Sequence, residues 1–201
     1  MRRLVLLRHG ETTGDSAVRY HGSSDLPLSP EGRQQMQVAA AALKKQPFDL
    51  IASSPLRRAW QSAWVVAGGR PVRLVEELRE IHFGRWEGLT REEIQARDPV
   101  LYEDWQGGAP GFEYPGGESR ADFLARVGAG LRGLAAGGAN SVLLVTHRGV
   151  IRAIVELLTG EKPGPDEPAL GNKIELTANP DGSWFRGRRS SNPDPLEEDA
   201  A

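Results

Sequence analysis

A chain of 201 residues with 39% hydrophobic and 26% charged content is long enough, and mixed enough, to bury a full core as one ordinary globular domain. Its formal net charge of −2 gives no general electrostatic case for nucleic acid or a membrane surface as a partner. It has no cysteine, which excludes disulfides, thiolate catalysis and cysteine-ligated zinc or iron–sulfur clusters.

Residues 3–8 form a short apolar run ending at His9-Gly10 and read as a buried strand. The run is shorter than the roughly 7–15 apolar residues of a signal peptide or the roughly 20 of a membrane span, so the cytoplasm is the expected location. Residues 10–28 are polar loop. Ser29-Pro30 gives an N-cap and a first-turn proline, and Met36, Ala39, Ala40 and Leu43 predict a helix over 30–45. Residues 49–53 read as a second strand. Ser54-Pro55 repeats the cap signal before a helix whose expected buried stripe is Leu56, Trp60, Ala63, Trp64 and Ala67, with both tryptophans in the core. Residues 72–75 read as a third strand.

Residues 90–105 predict one or two short helices interrupted at Pro99, and 107–117 a Gly/Pro-rich loop. Ser119 and Asp122 resemble a capping box before a helix marked by Leu124, Val127, Leu131 and Leu134. A strand over 141–145 leads through Thr146-His147 into a helix over 149–159 with Val150, Ile151, Ile154, Val155 and Leu158 on its buried side. A loop follows over 160–171, then a hairpin of 173–178 and 183–187 around Asp181-Gly182. The expected catalytic domain is 1–189. Residues 190–201 hold Asp194, Glu197, Glu198 and Asp199 and no base, and are expected to be a disordered acidic tail.

Strands alternating with helices imply an α/β fold of three layers, with a mainly parallel central sheet and helices on both faces. In such folds ligands bind beyond the carboxyl ends of the strands. Three expected strands end in reactive sequence: Arg8-His9-Gly10, Ser53-Ser54-Pro55 and Thr146-His147-Arg148-Gly149. An arginine ending a buried strand, as Arg8 does, needs an anionic partner. Arg57 and Arg58 lie in a helix's first turn, where the dipole disfavours cations unless an anion binds there; solvated side chains remain the alternative. Together these cations and two imidazoles point to an oxyanion site, phosphate first.

The four histidines, His9, His21, His82 and His147, include no close pair of the kind a zinc site uses. No clustered aspartates accompany the strand ends, and the two Gly-rich phosphate-loop patterns are missing. No metal and no cofactor is expected. A neutral imidazole is available near pH 7 and can form a covalent intermediate.

Leu7-Arg8-His9-Gly10-Glu11-Thr12 resembles the signature of the histidine phosphatase superfamily, the phosphoglycerate mutase-like proteins. Residues 22–32, Ser53-Ser54-Pro55-Leu56-Arg57-Arg58-Ala59, Leu78-Arg79-Glu80, residues 83–88, residues 115–119 and Thr146-His147 resemble its later blocks in order, over roughly 3–160. The resemblance implies that His9 is the nucleophile, its other ring nitrogen held by a backbone carbonyl. It implies that Arg8, Arg58 and a protonated His147 surround the phosphoryl group, and that Gly22 and Ser23 contact substrate. It makes Glu80 the proton donor; the residues by themselves do not choose Glu80 over Glu76, Glu77 or Glu87. Glu11 is expected to be structural.

Two positions depart from the family's usual pattern. Asp15 stands where asparagine is common near the phosphate, and Arg148 where glycine is common after the second histidine. Arg148 could grip a second anionic group of the substrate, with Asp15 holding its guanidinium. The segments at 83–88 and 115–119 look more like the small phosphatases, including α-ribazole-phosphate and broad-specificity types, than the mutases. The favoured reading is therefore a metal-independent phosphatase acting on a small phosphorylated metabolite. A phosphoglycerate mutase-type phosphotransferase and a catalytically idle binding module are the alternatives. The substrate and the oligomeric state, a homodimer included, stay open.

Overall fold

β1 (Arg3–Arg8) carries Leu4 and Leu6 on one face and Val5 and Leu7 on the other, all buried. That double-sided burial needs cover on both faces, and the chain supplies it. The structure, a computed structural model, describes residues 1–187; the expected acidic tail lies outside the described residues. After β1 come α1 (Pro30–Leu43), β2 (Leu50–Ser53), α2 (Arg57–Ala67), β3 (Arg73–Leu74), α3 (Arg91–Arg97), α4 (Pro99–Gly107), α5 (Arg120–Ala136), β4 (Ser141–Thr146), α6 (Arg148–Thr159), β5 (Lys173–Ala178) and β6 (Trp184–Arg186).

The sheet order is β3-β2-β4-β1-β5-β6. β1 pairs parallel with β4, and β2 parallel with β4 and β3, whereas β5 runs antiparallel to both β1 and β6. α1 and α2 cover one face through Met36, Leu43, Ala63 and Val66. α5 and α6 cover the other through Val127, Leu134, Ile151 and Ile154. Burying each such large aliphatic side chain contributes roughly 1.5–3 kcal/mol. This is the expected three-layer α/β fold. Among the described residues, no helix is long and apolar enough to cross a membrane.

The parallel register decides where the reactive residues emerge. Arg8 is opposite Thr146, and Ser53 is opposite Val145. Three strands therefore end at one level, and His9, Ser54 and His147 leave the sheet together. The backbone continues the ladder one step further, with the His9 N–H donating to the Thr146 carbonyl at 3.0 Å and the Ser54 N–H to the Val145 carbonyl at 3.1 Å.

Several local expectations are corrected. Ser54 is not an N-cap: α2 starts at Arg57 behind Leu56, with no side-chain cap bond. Trp64 is 71% exposed and Trp60 only partly buried. The buried stripe of α2 is Ala59, Ser62, Ala63, Val66 and Ala67; these small side chains let the helix lie close, so the tryptophans are rotated outward. The third strand shrinks to two edge residues. The full capping box is at Thr90 and Glu93, while Ser119 caps α5 through the Asp122 N–H without the reciprocal bond. The expected helix over this segment is present as α5, and its Gly130 packs against Leu78, where a Cβ would sit only 3.0 Å from its side chain.

Candidate active site

Beyond the three strand ends lies a cleft of about 960 Å³ with Arg8, His9 and Glu80 in its wall. His9 is buried at its base. Its Nδ1–H donates to the Gly10 carbonyl at 2.7 Å, which leaves Nε2 with the lone pair. Burial first, then the positive charges of Arg58 and Arg8, hold the His9 pKa well below 6.5. The imidazole is therefore neutral at neutral pH.

Arg58 is 1% exposed, yet among the described residues it makes no ion pair. Its Nη1 donates to the Ser24 carbonyl at 2.6 Å and its Nη2 to those of His21 and Gly22 at 2.9 and 2.7 Å. Arg8 is likewise unpaired among those residues: Nη1 donates to the Pro168 carbonyl at 3.0 Å, and its buried Nε has no partner. Burial and then Arg148 pull its pKa down to about 10, so it stays charged. Two buried guanidiniums answered by carbonyls but by no direct carboxylate partner are costly unless an anion binds.

His147 stands 5.2 Å from His9, ring centre to ring centre, and is fully buried. The resemblance implies a protonated His147; its surroundings in the structure disfavour the charged ring. Burial first, then Arg58 and His9, push its pKa well below 6.5. It can still donate. Its Nε2 lies 2.8 Å from Ser54 Oγ, which also accepts the Leu56 N–H. With the hydroxyl proton turned to Nε2, the ring proton sits on Nδ1, which has no partner. Arg8 Nε is thus a buried donor left over, and in that tautomer His147 Nδ1 is a second.

Glu80 is buried on the same wall. Its Oε2 accepts the Gly149 N–H at 3.0 Å, and its Oε1 accepts the Ile81 N–H, also at 3.0 Å. Gly149 leaves room for this carboxylate: a Cβ there would lie 2.4 Å from Glu80 Oε1, and the carboxylate would have to shift. Of the four glutamates the sequence leaves open, Glu80 alone lines the cleft. Glu76 and Glu77 are exposed. Glu87 accepts N–H groups from Gly22, Ser23, Ser24 and Phe83 at 2.8–3.3 Å, and so clamps the 22–24 loop.

That clamp changes the expectation for Gly22 and Ser23. Their N–H groups are used by Glu87, and neither residue lines the cleft. Asp15 is exposed, sits at φ 57° and is also outside the lining; its carbonyl closes a turn to Val18 and Arg19. The carboxylate near Arg148 belongs to Asp166, 3.6 Å away, so Asp15 does not hold that guanidinium. Arg148 itself lines the cleft.

Three residues escaped sequence reading. Ser62 accepts the Gly10 N–H at 3.2 Å and donates to the Arg58 carbonyl, tying the end of β1 to α2. Arg126 donates to the carbonyls of Glu77, Arg79 and Glu80 and pairs with Glu118 at 2.6 Å, fixing the segment that carries Glu80. His21 lines the cleft with a buried, unpartnered Nδ1; the only sequence signal was its type. Among the described residues, no three His, Asp or Glu side chains are grouped so as to hold a metal ion.

A family model described as the histidine phosphatase superfamily (branch 1) matches residues 4–172. A glucosyl-3-phosphoglycerate phosphatase of Mycobacterium tuberculosis is 42% identical over 183 residues, covering 85% of this chain and 80% of the relative. An adenosylcobalamin/alpha-ribazole phosphatase of Salmonella typhimurium is 33% identical over 163 residues, covering 78% and 79%. The native structure of a mycobacterial glucosyl-3-phosphoglycerate phosphatase superposes with a TM-score of 0.77 at 35% identity, covering 92% of this chain and 96% of the other.

Proposed function

Since this chain belongs to the histidine phosphatase superfamily, branch 1, we propose that it hydrolyses phosphate monoesters of small metabolites through a phosphohistidine on His9. The observation that carries the reading is a neutral, backbone-oriented imidazole buried beside two unpaired arginines at the base of an open cleft.

Arg8, Arg58 and His147 Nδ1 hold the non-bridging oxygens and offset the charge that builds on them. His9 Nε2 attacks phosphorus in line with the ester oxygen; the N–P bond forms as the P–O bond breaks. The Gly10 carbonyl keeps the proton on Nδ1 and spreads the resulting positive charge. Glu80 gives its proton to the leaving alkoxide. The alcohol departs, water enters, and the Glu80 carboxylate takes a proton from it as its oxygen attacks phosphorus. The N–P bond breaks, inorganic phosphate forms, and His9 returns neutral.

Rapid acid and alkali quenching of labelled substrate tests this. The expected result is a phosphoprotein stable to alkali and labile to acid, absent in His9→Ala, whose turnover falls by about 10³-fold or more. Chelators should leave the rate unchanged. A fully active His9→Ala protein would end the proposal, and transfer of label to a second alcohol in preference to water would turn it toward the mutase reading.

A further inference from the structure

Beyond the phosphoryl end, the cleft wall formed by α5, α6 and the 160–171 loop carries excess positive charge. Arg120, Arg148, Arg152 and Lys162 line it, against Glu156 and Asp166. Their pairings are long: Arg120 to Glu156 is 3.5 Å, Lys162 to Glu156 3.7 Å, and Arg148 to Asp166 3.6 Å. Glu156 thus serves two cations, and Asp166 is 83% exposed. Arg152 is half-buried and in no ion pair among the described residues; it donates to the Pro165 carbonyl at 3.3 Å. Burial first, then the charge of Arg148, lower its pKa.

Helix geometry sets the spacing. Arg152 follows Arg148 by four residues on α6, so the two share a face and their Cα atoms are about 6 Å apart along the axis. Arg148 directly follows His147, at the phosphoryl end. The opposite wall holds its cations differently: Arg91 also lines the cleft and is hydrogen-bonded to Tyr20. That wall is built of Tyr20, Phe83, Trp105 and Tyr114 in edge-to-face contact, and its Arg19 is already paired with Glu93 at 2.9 Å.

We infer that Arg148 and Arg152, with Arg120 at the rim, form a subsite for a second anionic group, so that the preferred substrates are phosphomonoesters that also carry a carboxylate or a second phosphate. The inference rests on the phosphatase reading and narrows its substrate class. The planar guanidinium fork suits either anion, because both accept two parallel N–H donors. An anion there would relieve the repulsion between Arg148 and Arg152.

Two matched pairs of esters test it. 3-Phosphoglycerate differs from glycerol 3-phosphate by a carboxylate in place of a hydroxymethyl group; fructose 1,6-bisphosphate differs from fructose 6-phosphate by a phosphate. In the wild type, kcat/KM should favour the more anionic member of at least one pair about tenfold or more, mainly through KM. Which pair shows the preference identifies the anion. Arg152→Gln should bring that ratio within about twofold of one, and Arg152→Lys should recover part of it. A wild-type ratio near one in both pairs, or an unchanged ratio in Arg152→Gln, overturns the subsite. Calorimetric binding of the same four esters to His9→Ala gives the ratio without turnover. Failure to hydrolyse any ester therefore counts against the phosphatase reading, while the binding ratio still judges the subsite.

Discussion

The two ends of the cleft hold their cations differently. At the inner end Arg58 is fixed by three carbonyls at 2.6–2.9 Å, and the ring of His9 by Gly10 at 2.7 Å. At the outer end Arg120 and Arg148 reach their carboxylates only at 3.5–3.6 Å, and Arg152 has one long bond to a carbonyl. Preorganised donors cost no rearrangement when charge develops in a reaction. Looser ones can adapt to the rest of a substrate. The contrast separates the proposed phosphoryl site, set by the strand ends, from the proposed anion subsite, set by helices and loops.

Substitutions at the inner end should have the largest effects. Glu80→Gln should slow cleavage of alkyl phosphates by about 10²–10⁴-fold, and less for nitrophenyl phosphate, whose leaving group needs little protonation. Steady-state rates on both esters measure this, and equal losses would remove Glu80 as the acid. Gly149→Ala places a Cβ 2.4 Å from Glu80 Oε1. It should lower kcat on alkyl esters by about tenfold or more while the far-UV spectrum keeps its native form; a misplacement of about 1 Å can cost 10²-fold. Wild-type kinetics in that variant would show that the carboxylate tolerates displacement.

The same burial gives the two imidazoles of the inner end a pH signature just below neutrality. His9 and His147 are neutral when folded and titrate near 6.5 when unfolded. Below about pH 6.5, and above their folded values, the unfolded chain binds protons that the folded chain does not. Stability therefore falls as pH drops through that window, by about 1.4 kcal/mol per pH unit for each imidazole. Urea unfolding between pH 7.5 and 5.5 should show a shallower loss for His147→Asn than for the wild type. Parallel curves would mean that His147 is charged in the folded protein. The smallest effect is expected away from the cleft: Trp64→Ser should shift stability by no more than about 0.5 kcal/mol and leave kcat/KM unchanged, since Trp64 is 71% exposed. A loss of several kcal/mol in thermal or urea unfolding would restore that residue to a packing role.

Much of this was legible in the sequence. Alternating apolar runs and the Ser29-Pro30 cap place most strands and helices within a few residues, because side-chain period and cap chemistry are local properties. The convergence of His9, Ser54 and His147 also follows from the chain, since parallel strands that end in polar residues end on the same edge of the sheet. Reading α2 as a tryptophan-bearing stripe failed, because periodicity cannot tell two adjacent faces apart when one carries alanines and the other large rings. Packing against α1 selected the small-residue face.

What the sequence determined by itself is which residues are candidates for the site and the layer order that brings them together. What only the tertiary structure decided is how each group is used. Glu80 became the cleft carboxylate because Gly149 leaves room for it and Arg126 fixes its backbone. Glu87 became a clamp for the 22–24 loop, and Asp166, not Asp15, reached Arg148. Burial, and then Arg58, disfavour the charged form of His147. These assignments depend on distances between residues far apart in the chain, and on the solvent each has lost, which residue type and spacing do not encode.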